Sequence, residues 1–218
     1  MRFEKWQGLG NHFVVVESLP SGVDVAAICD PHRGVGADGV LVLDSATAAM
    51  TVFNADGSRP EMCGNGLRIA ACWFERRGVL LPRGIRTDAG MMPVGAVGGG
   101  RAEVVVATVP QSLERFEVDG HVGHSLDLGN PHAVFLDPEQ GFDLLAIGPA
   151  LQHDERFPGG VNVHRVAGTA AGIDVVPFER GVGLTQACGT GAAAAAWCAH
   201  RVDGCRLPLA VALPGGPL

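Results

Sequence analysis

Cys63-Gly64-Asn65-Gly66 and Cys188-Gly189-Thr190-Gly191 are two copies of one pattern, a cysteine followed by two glycines with a polar residue between them. After each copy, apolar residues recur at positions i, i+3, i+4 and i+7, which is typical of one face of a helix. These residues are Leu67, Ala70, Ala71 and Phe74 after the first copy, and Ala192, Ala195, Ala196 and Ala199 after the second. Gly78 and Gly204 follow as glycines that can end a helix. We therefore predict two helices, each preceded by a cysteine pattern.

Other short motifs recur in the same order around the two cysteine patterns. Gly10-Asn11-His12-Phe13 returns as Gly129-Asn130-Pro131-His132. A polar residue also stands nine positions before each cysteine, Asn54 in the first half and Glu179 in the second. The repetition of several motifs in one order indicates two related structural units.

Short runs rich in valine and isoleucine, which are typical of strands, flank the predicted helices. They cover residues 13–17, 40–43, 50–53, 102–107, 125–128, 133–136, 162–166 and 173–178. The glycine-rich residues 97–101 predict a hairpin turn, and residues 108–112 predict a linker. We predict an α+β fold of two pseudo-symmetric domains, residues 1–109 and 110–218, each a curved mixed β-sheet wrapped around a central α-helix.

Composition and charge narrow the possible functions. The chain has 218 residues, of which 47% are hydrophobic and 18% charged, and its formal net charge is −7. This charge argues against a nucleic-acid partner and against binding to an anionic membrane surface. The most apolar stretch, residues 192–196, is far shorter than the roughly 20 residues of a membrane-spanning helix. Because the N-terminus lacks the apolar run of an export signal, we expect a cytoplasmic protein whose six cysteines are reduced.

A cysteine at the start of a helix is chemically activated. The unpaired N–H groups of the first turn carry a partial positive charge, which favours the thiolate and lowers the pKa of the thiol. The glycines let the backbone approach a ligand closely, and the same N–H groups can bind a carboxylate. Each copy of the pattern therefore offers a reactive thiol and half of a carboxylate site.

Two such copies, related by pseudo-twofold symmetry, would place Cys63 and Cys188 on opposite faces of one substrate carbon where the two domains meet. One thiolate can then remove a proton while the other thiol delivers a proton to the opposite face, which inverts the centre. A pyridoxal cofactor needs a lysine, and the only lysine, Lys5, has no phosphate-binding loop beside it. The histidines show no convincing metal-ligand spacing. We predict an amino-acid epimerase or racemase that uses no cofactor and no metal.

Eight short motifs, in order along nearly the whole chain, closely resemble those of the diaminopimelate epimerase family. They are Gly8-Leu-Gly-Asn-His-Phe13, Arg33-Gly-Val-Gly-Ala-Asp-Gly39, Asn54-Ala-Asp-Gly-Ser58, Glu61-Met-Cys-Gly-Asn-Gly-Leu-Arg68, Leu128-Gly-Asn-Pro-His132, Gly160-Val-Asn162, Glu179-Arg-Gly-Val-Gly183 and Ala187-Cys-Gly-Thr-Gly191. The resemblance implies a homodimer that interconverts LL- and meso-diaminopimelate without pyridoxal phosphate, in lysine and peptidoglycan precursor synthesis.

The resemblance also implies roles for individual residues. Cys63 and Cys188 are similar to the family's paired acid and base, and His132 and Glu179 to the groups that poise the thiols and contact the reacting amino group. The residues whose backbones resemble the carboxylate cradle are Gly64, Asn65, Gly189 and Thr190. Those that resemble the other polar contacts to the substrate are Asn11, Asn54, Asn130, Asn162 and Arg180. In the family, the counterparts of Asn54, Asn162 and Arg180 hold the distal head of the substrate, so their presence favours a substrate with two zwitterionic ends.

Three other functions remain open on the sequence alone. A cysteine hydrolase or acyl transferase could use Cys188 as nucleophile and His132 as base, although Cys63 would then have no role. A zinc-binding module is a second alternative, but structural zinc sites space their cysteines more closely than this chain does. A racemase of another amino acid, such as histidine, is the third, although it would not need the distal-head contacts.

Several of these residues also have ordinary structural interpretations. His132 could be a hydrogen-bonded strand residue, Glu179 and Arg180 a solvated ion pair, and the asparagines turn formers. The remaining cysteines, which we expect to be structural, are Cys29, Cys72, Cys198 and Cys205. The histidines to which we assign no role are His32, His121, His124, His153, His164 and His200.

Overall fold

The computed structural model describes residues 1–105, 109–136 and 142–218. The chain divides into two compact units, Met1–Val106 and Ala107–Leu218. The boundary predicted between residues 109 and 110 lies near this division. The first residue of the predicted linker, at position 108, lies outside the described residues.

The first unit is built around a mixed sheet. Its elements are β1 (Glu4–Gly8), β2 (Asn11–Val16), α1 (Val25–Cys29), β3 (Gly39–Asp44), β4 (Ala49–Asn54), α2 (Gly64–Arg76), β5 (Ile85–Thr87), β6 (Gly90–Met92), β7 (Val94–Gly98) and β8 (Arg101–Val104). The sheet has the order β1-β2-β3-β4-β5-β6, and β7 and β8 form a separate hairpin. Leu67 and Phe74 of α2 pack with Phe13 and Leu41 of the sheet in a buried core.

The second unit has the same kind of construction. Its elements are β9 (Glu114–Val118), β10 (His121–Asp127), β11 (Pro131–Leu136), α3 (Leu144–Leu151), β12 (Asn162–Gly168), β13 (Gly172–Glu179), β14 (Gly183–Leu184), α4 (Gly189–Val202), β15 (Ala210–Leu213) and β16 (Gly216–Pro217). The sheet has the order β16-β15-β13-β12-β11-β10-β9, with β14 paired to β13. Ala192 and Ala195 of α4 are buried, and such small side chains let a helix pack closely on a sheet.

Strand pairing follows one pattern in both units. From β1 to β6, successive neighbours pair antiparallel, parallel, antiparallel, parallel and antiparallel. The strands β10, β11, β12, β13, β15 and β16 repeat this order of directions. In each unit one helix joins the second strand to the third, and another lies between the fourth and the fifth. The predicted α+β class, with a mixed sheet and a long helix in each half, is confirmed.

The predicted elements agree with the structure except near their ends. The eight predicted strand runs fall on β2, β3, β4, β8, β10, β11, β12 and β13, although the last two residues of the predicted run 102–107 lie outside the described residues. The predicted hairpin turn is confirmed, because Gly99 and Gly100 have φ values of 60° and 76° between β7 and β8. Gly78 and Gly204 have positive φ just beyond α2 and α4, as expected for helix-ending glycines.

Both long helices begin three residues earlier than predicted, at Gly64 rather than Leu67 and at Gly189 rather than Ala192. Gly64 and Gly189 already belong to the first helical turn, and the cysteine before each of them is the N-cap residue. The reactive thiols predicted from the sequence are therefore themselves the capping groups. Within the described residues, no helix has both the length and the apolar character to span a membrane.

Candidate active site

Cys63 caps the N-terminus of α2 with its side chain. Its backbone is extended, with φ −140° and ψ 118°, and its Sγ accepts a hydrogen bond from the backbone N–H of Gly66 at 3.4 Å. The residue is partly exposed. Arg68, one turn into the helix, interacts electrostatically with Cys63, and burial lowers the pKa of its guanidinium. The thiol is thus close to a helix N-terminus and interacts with a cation, and both attract a negatively charged sulfur.

A polar network surrounds the first turn of α2. The buried Asn65 donates its amide to the side-chain oxygen of Asn11 and accepts a hydrogen bond from Arg68. The side-chain nitrogen of Asn11 donates to Oδ2 of Asp38 at 3.5 Å. The same carboxylate oxygen accepts the backbone N–H of His12 at 2.7 Å. The structure therefore brings the predicted Asn11 and Asn65 into direct contact. It adds Arg68 and Asp38, which lie inside the motifs quoted above but were given no role.

Asn54 is the last residue of β4 and begins the turn that leads to Ser58. Its side-chain amide donates to Ser58 Oγ at 2.9 Å, and its backbone N–H donates to the Ser58 carbonyl at 2.8 Å. Asn54 is exposed. These contacts agree with the turn-forming interpretation, and the exposed side chain is also available to a ligand.

Cys188 caps α4 in the same way, with φ −127° and ψ 110°. Its Sγ accepts the backbone N–H of Gly191 at 3.3 Å and lies 3.7 Å from Thr190 Oγ1. The environment of the two cysteines nevertheless differs, because Cys188 is only 5% exposed. Burial, followed by the charge of the nearby Glu179, raises the pKa of Cys188 to about 12, although the hydrogen bonds from Thr190 and Gly191 oppose this shift.

For Cys188 the predicted lowering of the thiol pKa is wrong. The N-terminus of α4 does stabilise the thiolate, but removal of the sulfur from water destabilises it more. In this arrangement Cys188 is a protonated thiol at neutral pH. A protonated thiol can donate a proton, whereas a base would have to be a thiolate.

Glu179 and Arg180 end β13 with different surroundings. Glu179 is half-buried, contacts the Cys188 thiol and accepts the hydroxyl of Thr185 at 2.6 Å. Arg180 is exposed, and its guanidinium donates to the Gly159 carbonyl at 3.1 Å. The interpretation of these two residues as an ion pair is not supported, because each has its own partners.

Asn162 holds the backbone next to this arginine. Its side-chain oxygen accepts the Arg180 backbone N–H at 3.0 Å, and its amide donates to the Pro131 carbonyl at 3.1 Å. Asn162 is 5% exposed. The structure thus shows Asn162 as a support for Arg180, in addition to the substrate contact that the resemblance implies.

His132, on β11, is completely buried. Its Nε2 lies 3.0 Å from the side-chain oxygen of Asn130, and its Nδ1 lies 2.9 Å from Nε2 of His164. Burial lowers the pKa of His132 to about 4, so the ring is neutral at physiological pH. Within the second unit, its connection to Cys188 runs through Asn130 and Thr190, whose side chains are 3.3 Å apart.

Each unit therefore assembles one cysteine with its own polar network. The asparagine of the repeated Gly-Asn motif contacts the residue two positions after the cysteine in both, as Asn11 with Asn65 and as Asn130 with Thr190. Within the described residues, no group of three or more histidine, cysteine or acidic side chains is arranged to hold a metal ion. The arrangement offers thiol acid–base chemistry beside backbone N–H groups.

The buried thiols predict a loss of stability at alkaline pH. Burial raises the pKa of Cys188 and of Cys198 to about 12, whereas a thiol in an unfolded chain ionises at about 8.5. Above pH 8.5 the unfolded chain therefore releases protons that the folded protein keeps, and the free energy of unfolding falls by up to about 1.4 kcal/mol per pH unit for each thiol. With one lysine and no tyrosine in the chain, few other groups titrate in this range.

Urea unfolding of the reduced protein at pH 8, 9 and 10 measures this effect. The Cys198→Ala variant is the matched control, and its unfolding free energy should decline less steeply with pH. Parallel curves for the two proteins would contradict the raised pKa of Cys198.

Comparison with known proteins places the whole chain in one family. The family model described as diaminopimelate epimerase matches residues 3–111 and 124–218. The diaminopimelate epimerase of Sphingopyxis alaskensis is 38% identical over 241 residues, covering 100% of this chain and 88% of that protein. That of Desulforudis audaxviator is 39% identical over 252 residues, covering 100% of this chain and 90% of that protein.

A solved structure gives a likeness that concerns the fold alone. The crystal structure of the Bacillus anthracis phenazine biosynthesis protein of the PhzF family has a TM-score of 0.68 and 15% sequence identity, over 99% of this chain and 87% of that one. The sequence matches are more specific, because both the family model and the relatives cover nearly the full chain. The chain therefore belongs to the diaminopimelate epimerase family.

Proposed function

We propose that this protein interconverts LL- and meso-diaminopimelate without a cofactor, through proton transfers between the α-carbon of the substrate and the thiols of Cys63 and Cys188. The observation that carries the proposal is the repeated capping arrangement. In each unit of a chain from this family, a cysteine sulfur lies at a helix N-terminus and accepts the N–H of the second glycine of its pattern.

The proposed reaction has two balanced proton transfers. One sulfur, as thiolate, takes the α-proton and becomes a thiol, and the electron pair of the broken C–H bond remains on the substrate. The other sulfur, as thiol, gives its proton to the opposite face of the carbon and becomes a thiolate. The reverse reaction exchanges the roles, so one pair of groups serves both directions.

In the proposed resting state, Cys188 is a neutral thiol and Cys63 is a negatively charged thiolate. The pKa of Cys188 is raised to about 12, which supports a protonated acid in the resting protein. Cys63 is more exposed and interacts with the guanidinium of Arg68, which supports a thiolate base. Glu179 touches the Cys188 thiol and would repel a thiolate there, so it favours return of the proton after each turnover.

The substrate is held through both of its ends in this proposal. The N–H groups of Gly64, Asn65, Gly189 and Thr190 belong to the first turns of α2 and α4. Such groups bind a carboxylate and stabilise the charge that develops on it when the α-proton leaves. At the distal end, the exposed Arg180 can pair with the second carboxylate through two parallel hydrogen bonds.

Replacement of Arg180 by alanine should weaken substrate binding more than chemistry. Because a hydrogen bond to a charged group contributes about 1.5–3 kcal/mol, we expect KM for LL-diaminopimelate to rise about 10- to 100-fold, with a much smaller change in kcat. Steady-state kinetics of the variant measure this, with Arg206→Ala as the control for loss of an exposed arginine. An unchanged KM in Arg180→Ala would remove Arg180 from the substrate site.

Incubation of the wild-type protein with LL-diaminopimelate in D₂O tests the proposed function. The expected result is formation of the meso isomer with one deuterium at the α-carbon, under reducing conditions and without added pyridoxal phosphate. L-Histidine serves as the competing substrate. Racemisation of histidine without turnover of diaminopimelate, or inversion without deuterium uptake, would overturn the proposal.

The resemblance to the family also supports two finer parts of the proposal. We propose that the protein acts as a homodimer and that it works in the cytoplasm, where lysine and peptidoglycan precursors are made. Sedimentation equilibrium of the reduced protein tests the first, since a single species with the mass of one chain would contradict it. Fractionation of the producing cells tests the second.

A further inference from the structure

The strand registers match residues of the second unit with residues of the first. Phe13 on β2 lies beside Gly39 on the parallel strand β3, and His132 on β11 lies beside Asn162 on the parallel strand β12. Two residues further along, β3 carries Leu41 and β12 carries His164. The first unit thus has Phe13 and Leu41 at the positions where the second has His132 and His164.

Leu41 and His164 are both fully buried, and each lies against the second glycine of a cysteine pattern. A Cβ placed on Gly66 would lie 3.0 Å from Leu41 Cδ2, and one placed on Gly191 would lie 2.3 Å from His164 Cε1. An apolar side chain therefore fills this position in the first unit. Packing alone does not require a histidine here, so the polar atoms of His164 need another explanation.

His164 is the end of a chain of hydrogen bonds that leads to Cys188. His164 Nε2 lies 2.9 Å from His132 Nδ1, and His132 Nε2 lies 3.0 Å from the oxygen of Asn130. The Asn130 amide donates to Thr190 Oγ1 at 3.3 Å. Thr190 Oγ1 in turn lies 3.7 Å from Cys188 Sγ.

The partners fix the direction of donation along this chain. Because Asn130 turns its amide to Thr190, its oxygen faces His132, so the neutral His132 carries its proton on Nε2. His132 Nδ1 is then an acceptor, and His164 must donate from Nε2. Within the described residues, the fully buried His164 Nδ1 has no hydrogen-bond partner. This agrees with the assignment, because an unpaired acceptor is tolerated in a buried site better than an unpaired N–H.

We propose that His164 is a positioning residue for the acid Cys188. By donating to His132 Nδ1 it holds His132 with Nε2–H on Asn130, which keeps the Asn130 amide on Thr190 and leaves the Thr190 hydroxyl hydrogen directed at the Cys188 sulfur. That hydrogen bond stabilises the thiolate that forms when Cys188 gives its proton to the substrate. This inference rests on the proposed function, and it concerns the regulation of thiol charge within the same site.

Kinetics of two variants test the catalytic part of the inference. His164→Leu supplies the residue that the first unit has at this position, without the donor. Because the Cys188 thiolate forms only during the reaction, we expect kcat to fall about 10- to 100-fold, the size of one lost hydrogen bond to a charged group, with KM nearly unchanged. His164→Gln keeps an N–H donor and should restore most of kcat. The exposed His153→Gln is the control for substitution of a histidine.

Thr190→Val removes the hydroxyl at the other end of this series of hydrogen bonds, next to Cys188. If the two residues act through one path, the double variant His164→Leu/Thr190→Val should be no slower than the slower single variant. Equal kcat for wild type and His164→Leu, or multiplicative losses in the double variant, would overturn the inference.

Nitrogen-15 NMR of the histidine rings tests the inference without reference to activity. In the wild-type protein His132 and His164 should both be protonated on Nε2, with a scalar coupling across the hydrogen bond from His164 Nε2 to His132 Nδ1. The His132 signals are assigned by their loss in His132→Gln. A proton on His132 Nδ1 would overturn the inference even in an active enzyme. Absence of epimerisation with the expected proton positions would instead overturn the proposed function alone.

Discussion

Replacement of either Cys63 or Cys188 by alanine should lower kcat for epimerisation by about 1,000-fold or more, because each sulfur is the only proton carrier proposed for its face of the substrate. Removal of a general acid or base typically costs 100- to 10,000-fold in rate. In the proposed reaction the loss of one sulfur also removes the proton that completes inversion. The assay is the conversion of LL- to meso-diaminopimelate, followed by chiral separation in the presence of a reductant.

The helices themselves provide matched controls for this experiment. Cys72 and Cys198 lie further along α2 and α4 and are buried, with 6% and 0% exposure. Burial raises the pKa of both thiols, so neither is a base at neutral pH. Cys72→Ala and Cys198→Ala should therefore keep kcat within a few-fold of wild type. Full turnover by Cys63→Ala or by Cys188→Ala would refute the two-base proposal.

The repeated cysteine pattern made much of the fold predictable from the sequence. A helical repeat of apolar residues, a cysteine pattern before it and a helix-ending glycine after it are local features, and the sequence shows each of them twice. The strands rich in valine could also be predicted. The alternation of parallel and antiparallel pairs could not be predicted, because pairing depends on contacts between distant residues.

The elements missed by the sequence analysis are short or atypical. Helix α1 has five residues, Val25–Cys29, too few to show a helical repeat, although Asp24 caps it through Ala27 N–H. Helix α3 contains Pro149 and Gly148, both of which disfavour a helix in most contexts. Its N-cap, Asp143, accepts from Leu145 and Ala146 and was the available signal.

The charge of the second thiol could not be predicted from its position at a helix start. The sequence shows that Cys188 precedes a helix, and this alone favours a thiolate. It does not show that Cys188 is only 5% exposed or that Glu179 contacts its thiol. Burial is a tertiary property, and here its effect on the pKa is larger than that of the helix N-terminus.

The role proposed for His164 could not be predicted from the sequence for a different reason. Taken singly, it is a histidine on a valine-rich strand. The repeat held a usable signal, because Gly39-Val-Leu41 aligns with Asn162-Val-His164 and sets His164 against a core leucine. The contact with His132 becomes visible only when β11 and β12 lie side by side.

Replacement of Gly191 by alanine should reduce both stability and activity strongly. A new Cβ would lie 2.3 Å from His164 Cε1 and 2.8 Å from its Nε2. The fully buried ring is held by its hydrogen bond to His132 and would have to shift as a whole. Overpacking of this kind costs about 1–3 kcal/mol and occasionally more. We expect the free energy of unfolding to fall by about 3 kcal/mol, and kcat to fall because His164 loses its position against His132. Urea unfolding and the epimerisation assay measure the two effects.

Gly66→Ala is the matched substitution in the first unit and should be far milder. Its new Cβ would meet the tip of Leu41 at 3.0 Å, a flexible group that can shift by a few tenths of an ångström, and alanine favours the helix by about 1 kcal/mol over glycine. If the His164 ring is the obstacle, the cost of Gly191→Ala should shrink in the His164→Leu background to that of Gly66→Ala in the wild type. An equal cost in both backgrounds would mean that the second glycine is required for a reason other than the histidine beneath it.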